Sequence, residues 1–285
     1  MKKYIFWLSV SVSVLTGTAL VYFFFVPAFA GKIIISPVID LGIFTIRWYG
    51  LMIALAVLTG FLVARKYAWK FGIDARQLTD FAFWLVIVSG IGARLYFVIF
   101  EFNYFVRNPL EIVEIWHGGI SIYGAVISGF VFAFFYARRK AYSSWQLMDL
   151  TALSLPLAQA VGRFGNFFNQ EAFGLPTNLP WKMFVGRNNR PLEFVDADFF
   201  HPTFLYEAIW NVIVFFVLLK LVGRHKSGVL AFAYLMSYSL GRFFIEGIRL
   251  DSALIMGFRS DQVIALIIFL FAGFMIYRLS RTPQQ

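Results

Sequence analysis

The chain has 285 residues and contains no cysteine, and its histidines are few. Without cysteine there are no disulfide bonds, no thiolate metal sites and no protein thiol nucleophile. If thiol chemistry takes place here, the sulfur must belong to a substrate. The three histidines, His117, His201 and His225, fall in predicted loops without the spacing of metal ligands. The sequence therefore predicts neither a metal site nor another cofactor.

Charge is also scarce, because charged residues make up 14% of the chain and apolar residues 60%. Soluble domains average about 25% and 45–50% for the same two classes. A span needs about 20 apolar residues, and stretches of that length fill most of the sequence. Their approximate bounds are 5–26, 43–64, 79–100, 119–137, 147–168, 204–222, 229–246 and 261–277. The sequence predicts an all-α, polytopic helical membrane protein.

The first of these stretches has two interpretations. Lys2 and Lys3, an apolar run and Ala28-Phe29-Ala30 resemble a signal peptide with a small-residue cleavage site. The apolar run is longer than the usual core of about 7–15 residues, so we favour a retained span. We therefore expect an extra N-terminal segment over residues 1–30 and one integral-membrane domain over residues 31–285. Either interpretation places residues 27–42 outside.

The net charge of +10 does not predict a nucleic-acid partner, because the positive residues flank the apolar stretches. With the amino terminus inside, about twice as many lysines and arginines lie on the inner flanks as on the outer ones. This arrangement satisfies the positive-inside rule, and the opposite orientation does not.

Four arginines lie within the spans themselves: Arg47, Arg94, Arg163 and Arg242. A charged residue inside a membrane segment is costly and is a functional-site hypothesis. The predicted topology places all four in the outer half of the membrane. We expect them to share an anionic ligand, for which the natural candidate is a phospholipid headgroup of the outer leaflet.

Arg163 belongs to a polar run at the end of an otherwise apolar stretch, Gly-Arg-Phe-Gly-Asn-Phe-Phe-Asn-Gln-Glu-Ala-Phe-Gly over residues 162–174. Helical spacing places Arg163, Asn166 and Asn169 on one face. A planar guanidinium beside amide donors is the chemistry of a phosphate pocket. The alternative is helix-helix contact with an arginine that reaches the interface. Four strong hydrogen-bonding side chains in nine residues favour the pocket.

The same run resembles the signature of the prolipoprotein diacylglyceryl transferases, Gly-Arg-x-Gly-Asn-Phe-x-Asn-x-Glu-x-x-Gly. Its fixed positions are met here by Gly162, Arg163, Gly165, Asn166, Phe167, Asn169, Glu171 and Gly174. Further family-like stretches follow the expected order: Arg47-Trp48-Tyr49-Gly50, Gly92-Ala93-Arg94-Leu95, Gly118-Gly119 with Tyr123-Gly124, His201-Pro202-Thr203 with Tyr206-Glu207, and Arg242 through Arg249. The resemblance covers roughly residues 36–280.

The resemblance implies seven family-like transmembrane helices plus the extra N-terminal span, in the bacterial cytoplasmic (inner) membrane with the active site facing outward. It implies transfer of a diacylglyceryl group from phosphatidylglycerol to the lipobox cysteine of a prolipoprotein, the first step of lipoprotein maturation. Partners would be phosphatidylglycerol, prolipoprotein signal peptides and membrane lipids, with no nucleic acid. The expected catalytic residues are Tyr123, Arg163, Tyr238 and Arg242. The expected substrate-binding residues are Tyr49, Arg94, Arg163, Asn166, Asn169, Glu171, Gly174, His201, Glu246 and Arg249.

Tyr238, Arg242, Glu246 and Arg249 are spaced as one polar face of the seventh stretch. They could form an internal ladder of ion pairs, or Glu246 could orient arginines that bind phosphate. The two interpretations are compatible.

Tyr123 stands where many family members have histidine, near the outer entry of the fourth stretch. A histidine titrates near neutral pH, whereas an ordinary tyrosine has a pKa of about 10. Tyr123 is therefore either a base or proton relay, or an aromatic anchor at the membrane interface. His117, six residues earlier, is not the aligned residue but could lie nearby.

The external segment 170–203 is too long for a simple connection and is predicted to be a lid or a binding arm, with an ordinary variable loop as the alternative for residues 176–198. Two other functions are disfavoured. A lipid transporter needs access from both leaflets, but the polar residues cluster on one side. An intramembrane protease needs a Gly-x-Ser-Gly motif or a pair of mid-membrane aspartates, and the predicted spans contain neither.

Overall fold

Helices account for most of the computed structural model, which describes residues 11, 15–42, 44–115, 118–139, 143–252, 254–255 and 257–281. In chain order the helices are α1 (Leu15–Phe29), α2 (Trp48–Tyr67), α3 (Ala75–Phe100), α4 (Phe102–Arg107), α5 (Ile122–Arg139), α6 (Ser144–Gly162), α7 (Phe164–Asn169), α8 (Thr203–Leu221), α9 (Val229–Glu246) and α10 (Ser260–Arg281). Three antiparallel hairpins join β1 (Val38–Asp40) to β2 (Thr45–Arg47), β3 (Met183–Phe184) to β4 (Phe199–Phe200), and β5 (Leu254–Ile255) to β6 (Phe258–Arg259).

Four of these helices are long and apolar enough to cross a membrane, judged by length and composition over the described residues. They are α2 with the short 3₁₀ turn that follows it to Phe71, α3, α8 and α10. Helices α5, α6 and α9 are 18 or 19 residues long and overlap predicted stretches, but they carry more polar residues. The prediction of a helical membrane protein is confirmed, whereas the number of spans stays a prediction.

The predicted stretch 147–168 is wrong in one respect, because its helix does not run through to residue 168. Helix α6 ends at Gly162 and α7 begins at Phe164. The amide of Asn166 donates to the carbonyl of Arg163 at 3.1 Å, which tightens the turn between the two helices. Arg163 consequently occupies the junction.

Helix α1 packs through aromatic side chains, although residues 1–10 and 12–14 of the candidate signal segment lie outside the described part. Phe25 contacts the ring of Phe167 with a centroid distance of 5.3 Å, and Phe29 contacts Phe204 at 6.2 Å. Ala28, in the candidate cleavage motif, is 3% exposed within this cluster.

The chain divides into two compact units. The first comprises residues 1–58, 156–214 and 235–271, and the second comprises residues 59–155, 215–234 and 272–285. The first unit contains every predicted site residue except Arg94 and Tyr123, which belong to the second. Several helices contribute residues to both units, and the expectation of a single membrane domain stays a prediction.

In the second unit, small residues allow α3 and α5 to approach closely. A Cβ at Gly92 would lie 2.1 Å from Ser128 Oγ, and one at Gly124 would lie 2.3 Å from the Gly92 carbonyl oxygen. Contacts between small residues of this kind are typical of helix pairs in membranes. In the same unit, Asp149 of α6 accepts hydrogen bonds from the amides of Gly228 and Ala231 at 2.7 and 2.8 Å. It thereby caps the start of α9.

In the first unit, the segment 170–203 contributes buried apolar side chains to the cluster that also contains Ala28 and Phe167. Strands β3 and β4 pair Met183 with Phe200, and Met183, Val185 and Phe200 are at most 1% exposed. Arg190 braces the segment by donating to the carbonyls of Val185 and Val195. A segment with buried apolar side chains is a defined structural arm, which we call the 170–203 arm.

Candidate active site

The signature run lies against the start of α2. A Cβ at Gly165 would lie 2.8 Å from Cδ2 of Tyr49, so this glycine leaves room for the tyrosine ring. Gly162 faces Ala56, and a Cβ at Gly162 would lie in ordinary van der Waals contact, 3.7 Å from the Ala56 Cβ. The two glycines of the run thus seat it on α2, and Tyr49 and Gly165, both part of the resemblance, are direct neighbours.

A tight turn follows α7 and brings Asn166 and Glu171 together. Asn166 Nδ2 donates to Glu171 Oε1 at 2.9 Å, while the Glu171 amide donates to the Asn166 carbonyl at 3.0 Å. Gln170 and Ala172 adopt positive φ angles of 50° and 55°, a conformation that is uncommon outside glycine. The paired side chains therefore hold each other in fixed positions, and Asn169 lies half-buried at the end of α7.

Glu207, near the start of α8, is the meeting point of three arginines from different segments. Its Oε2 lies 2.5 Å from Arg163 Nη2. Its Oε1 lies 3.0 Å from Arg249 Nη1 and 3.6 Å from Arg242 Nη1. The carboxylate is buried at 6% side-chain exposure, whereas the Arg163 side chain is 23% exposed. The Arg163 side chain is therefore the more exposed member of this ion pair.

Arg242 has two further carboxylate partners. Its Nη2 lies 2.9 Å from Glu246 Oε2, one helical turn along α9, and also contacts Asp261 at the start of α10. Glu246 is 2% exposed. Its Oε2 lies at ion-pair distance from Arg242, but the geometry of the contact is not that of a hydrogen bond. Asp261 is 44% exposed, so it is the accessible member of the three carboxylates around Arg242.

Arg249 is held by a two-point contact with Asp251. Nε donates to Oδ1 at 2.9 Å and Nη2 donates to Oδ2 at 2.6 Å. Burial alone would raise the pKa of Asp251, but the hydrogen bond and charge of Arg249 outweigh it and lower the pKa below its ordinary value. Burial alone would lower the pKa of Arg249, but its acidic partners outweigh this effect and raise the pKa above its ordinary value. The pair is therefore ionised at neutral pH.

Gly174 lies where three chain segments meet. Its amide donates to the His201 carbonyl at 2.9 Å, and the next amide, that of Leu175, donates to the Ile248 carbonyl at 2.8 Å. A Cβ at Gly174 would lie 2.8 Å from Ile248 O and 2.9 Å from His201 Cβ. Only glycine fits without displacing these neighbours.

A short chain of hydrogen bonds connects two residues of the 170–203 arm, Trp181 and His201, through Tyr206 of α8. Trp181 Nε1 donates to the Tyr206 hydroxyl at 2.8 Å, and that hydroxyl lies 3.0 Å from His201 Nδ1. The indole can only donate, so the Tyr206 oxygen accepts from it, and the histidine tautomer decides which of the hydroxyl and Nδ1 donates in the second bond. Burial lowers the pKa of His201, which favours the neutral form of the ring.

A narrow cleft opens between α8 and α9 beside this cluster. Its lining residues come only from those two helices: Glu207, Trp210, Asn211, Tyr238, Gly241, Arg242 and Ile245. Tyr238 and Arg242, both predicted to be catalytic, therefore share one cleft with the buried carboxylate.

With this geometry established, comparison with known proteins identifies the relationship. A family model described as prolipoprotein diacylglyceryl transferase matches residues 37–278. The chain belongs to the prolipoprotein diacylglyceryl transferase family.

Relatives named phosphatidylglycerol--prolipoprotein diacylglyceryl transferase cover most of this transferase chain. The protein of Thermotoga maritima is 41% identical over 292 residues, covering 100% of this chain and 99% of the relative. That of Synechococcus elongatus is 44% identical over 236 residues, covering 80% and 82%. That of Nostoc sp. is 46% identical over 235 residues, covering 80% and 83%.

Within this family member, the structure gives Arg94 and Arg47 different settings from Arg163 and Arg242. Arg94 is 8% exposed and donates to the carbonyls of Ile112 (2.9 Å), Gly118 and Gly119 (2.7 Å each), as well as to that of Glu111. Its guanidinium also covers the ring of Phe105. Arg47 lies exposed on β2. The sequence predicts that all four share one ligand, but the contacts of Arg94 go to the backbone of its own unit.

Tyr123 lies in the first turn of α5, in the second unit, and is 68% exposed. Its ring lies 6.3 Å from that of Tyr96. His117, considered as a neighbour of Tyr123, lies outside the described residues.

Of the carboxylates around the arginines, only Glu246 belongs to the predicted site. Glu207 carries part of the resemblance without a predicted role, and Asp251 and Asp261 are not among the predicted residues. A carboxylate at the start of an apolar stretch is a usable signal for Glu207, because a charge there is costly.

Proposed function

We propose that the chain transfers the diacylglyceryl group of phosphatidylglycerol to the lipobox cysteine of a prolipoprotein. A carbon-sulfur bond forms to the glyceryl carbon, and the bond from that carbon to the phosphate oxygen breaks. The thiol proton is lost, and glycerol phosphate leaves. The relatives are named for this reaction, and the observation that carries the proposal is the convergence of Arg163, Arg242 and Arg249 on Glu207.

The arginine cluster would hold the phosphodiester and stabilise the leaving phosphate. Three arginines here face four carboxylates, Glu207, Glu246, Asp251 and Asp261, so net charge alone does not favour an anion. The attraction must be local. The partly exposed side chain of Arg163 would offer guanidinium donors to phosphate oxygens, and Asp261, which is 44% exposed, would give up its place at Arg242. Preorganised donors of this kind stabilise charge that develops as the phosphate leaves.

Asn166, Asn169, Glu171 and Tyr49 would position the headgroup beside Arg163. The hydrogen bond between Asn166 and Glu171 fixes the amide, and the Tyr49 ring lies directly against Gly165. Gly174 would act through packing, by setting the spacing of its three neighbouring segments. Glu246 would orient Arg242, while Tyr238 borders the cleft beside it.

The incoming thiol has a pKa of about 8.5 and must lose its proton to act as a nucleophile. Tyr123 is our candidate for the base or relay because it occupies the family position of a histidine and is exposed. The alternative role, an anchor at the membrane interface, suits the same exposure.

We further propose seven family-like spans with a retained N-terminal span, in the bacterial inner membrane, with the site in the outer half. The aromatic packing of α1 supports retention, because Ala28 is buried in that cluster. Both termini would then face the cytoplasm. A reporter active only outside the cytoplasm, fused after Gln285, would give no signal, and a strong signal would overturn this topology.

The deciding experiment combines purified protein, phosphatidylglycerol radiolabelled in the glycerol of its diacylglyceryl group, and a peptide with a lipobox cysteine. We expect label on the peptide in a thioether that resists mild base, and none on a peptide with serine in place of cysteine. Movement of lipid between leaflets without labelled peptide would support a transporter, and peptide cleavage would support a protease. Either result without transfer would overturn the proposal.

A further inference from the structure

Asn211 of α8 has a buried side-chain oxygen that receives no hydrogen bond from the described chain. The residue is 3% exposed, and its Oδ1 accepts no hydrogen bond from the described residues. Buried polar atoms in folded proteins are nearly always paired, so an exception requires an explanation. A structural amide in a helix interface would be expected to have found a partner during folding.

The position of Asn211 supplies that explanation, because it lines the cleft that also contains Glu207, Tyr238 and Arg242. Asn211 lies four residues after Glu207, one helical turn along the same face of α8. Arg242 and Tyr238 have the same spacing on α9. Asn211 therefore lines the same cleft as Arg242, the arginine proposed to bind phosphate.

Close packing of α8 against α9 keeps this side of the cleft rigid. Trp210 Nε1 donates to the Ser237 carbonyl at 2.9 Å, and a Cβ at Gly241 would lie 2.2 Å from Trp210 Nε1. Trp210, the chain neighbour of Asn211, thus holds α8 and α9 together beside the cleft.

An acceptor oxygen in this setting selects a ligand that carries a hydrogen-bond donor close to an anionic group. Phosphatidylglycerol has this pairing, since its phosphodiester is joined to a glycerol with two free hydroxyls. We propose that Asn211 Oδ1 accepts a hydrogen bond from a hydroxyl of the glycerol headgroup, and so makes the site prefer this lipid over phosphodiesters without hydroxyls. This inference rests on the proposed transferase function.

The test compares two donor lipids that share the diacylglyceryl group and the phosphodiester charge. Phosphatidylglycerol carries the headgroup hydroxyls, and phosphatidylmethanol carries none. Each lipid is assayed for transfer to the lipobox peptide, and the lipid ratio is kcat/KM for phosphatidylglycerol divided by kcat/KM for phosphatidylmethanol. Phosphatidylmethanol is also assayed as a competitor, so that the preference between the two lipids is measured even where transfer from phosphatidylmethanol is slow. A site that bonds a substrate hydroxyl discriminates against an analogue lacking it.

We expect Asn211→Leu to reduce kcat/KM for phosphatidylglycerol by about tenfold, a typical effect of one hydrogen bond, and to change the phosphatidylmethanol value by less than about twofold. Asn211→Ala should give the same change in the ratio and serves if the leucine variant does not fold. Ser239→Ala is the matched control. Ser239 of α9 is 1% exposed with an equally unpaired oxygen, but it does not line the cleft, so its removal should leave the ratio unchanged.

The outcomes separate this inference from the function on which it rests. An active wild type with an unchanged lipid ratio in both Asn211 variants overturns the headgroup contact, as does an equal loss for both lipids. A wild type that transfers from neither lipid instead overturns the transferase function. Thermal stability of each variant in detergent distinguishes lost folding from lost recognition.

Discussion

Arg163 and Glu207 form an ion pair of 2.5 Å between the junction of α6 with α7 and the first turns of α8. Glu207 also faces Arg242 and Arg249, so one buried carboxylate connects three segments of the candidate site. A buried charge that loses its partner costs about 3–5 kcal/mol, which makes this carboxylate important for stability as well as for geometry.

Replacing Glu207 with glutamine should remove a negative charge that offsets the mutual repulsion of Arg163, Arg242 and Arg249. We expect the Glu207→Gln protein to lose transfer activity and about 3 kcal/mol of stability. Thermal unfolding in detergent measures the second effect. Asp198→Asn is the matched control, because Asp198 pairs with Arg190 at 2.7 Å but is 58% exposed. That pair should contribute about 0–1 kcal/mol. Similar losses in both variants would contradict the special role of Glu207.

Arg163→Lys keeps the positive charge but removes the planar fork that can contact a carboxylate and a phosphate together. We expect transfer to fall about a hundredfold or more while the protein remains folded. Asn166→Ala should have a comparable effect, since it releases Glu171. Arg187→Lys, at an exposed position of the 170–203 arm, serves as the control. Near-normal transfer rates in well-expressed Arg163→Lys and Asn166→Ala proteins would contradict the phosphate-pocket hypothesis.

Two substitutions at Tyr123 distinguish its two proposed roles, proton transfer and anchoring at the membrane interface. Tyr123→Phe keeps the ring and removes the hydroxyl, whereas Tyr123→His restores the residue that many family members have. If the hydroxyl takes part in proton transfer, we expect a large loss with phenylalanine and at least partial activity with histidine. The comparison is made with labelled lipid at several pH values. Full activity of Tyr123→Phe would leave the hydroxyl without a catalytic role.

Arg94 should behave as a brace for the backbone around Gly118 and Gly119. Lysine cannot satisfy four carbonyls at once, so Arg94→Lys should increase amide hydrogen exchange over residues 111–119 and cost about 2–4 kcal/mol. Arg107→Lys, at an exposed position, controls for the change of residue type. Unchanged exchange together with a raised KM for lipid would instead favour direct binding by Arg94.

His201 should make stability depend on pH, because its folded-state pKa is lowered by burial. Below its ordinary pKa of about 6.5 the unfolded chain takes up a proton that the folded protein resists. Stability is therefore full above that pH and decreases as the pH falls towards the lowered value. Unfolding temperatures between about pH 7.5 and 5.5 should show this decrease in the wild type and less of it in His201→Gln. Exposed His225→Gln should keep the wild-type dependence.

Local spacing predicts the parts of the site that lie on one helix. The Arg242–Glu246 ion pair over one turn of α9 follows from the sequence, as does the crowding of polar groups in the signature run. The role of Glu207 does not follow, because it depends on how α8 packs against segments far away in the chain. The setting of Arg94 escapes prediction for a related reason. Gly118 and Gly119 adopt positive φ angles of 96° and 73°, and sequence alone does not reveal that their carbonyls turn towards the arginine.

The crowding at Gly174 has a consequence for the dimensions of the site. A Cβ at Gly174 would also lie 3.0 Å from Thr203 Cγ2, in addition to its contacts with Ile248 and His201. The absence of this one methyl group therefore sets the distance between the backbone before Arg249 and the start of α8. The Arg249–Glu207 distance of 3.0 Å spans that same gap. An alanine at position 174 would act as a wedge, parting an arginine from its carboxylate without touching either side chain.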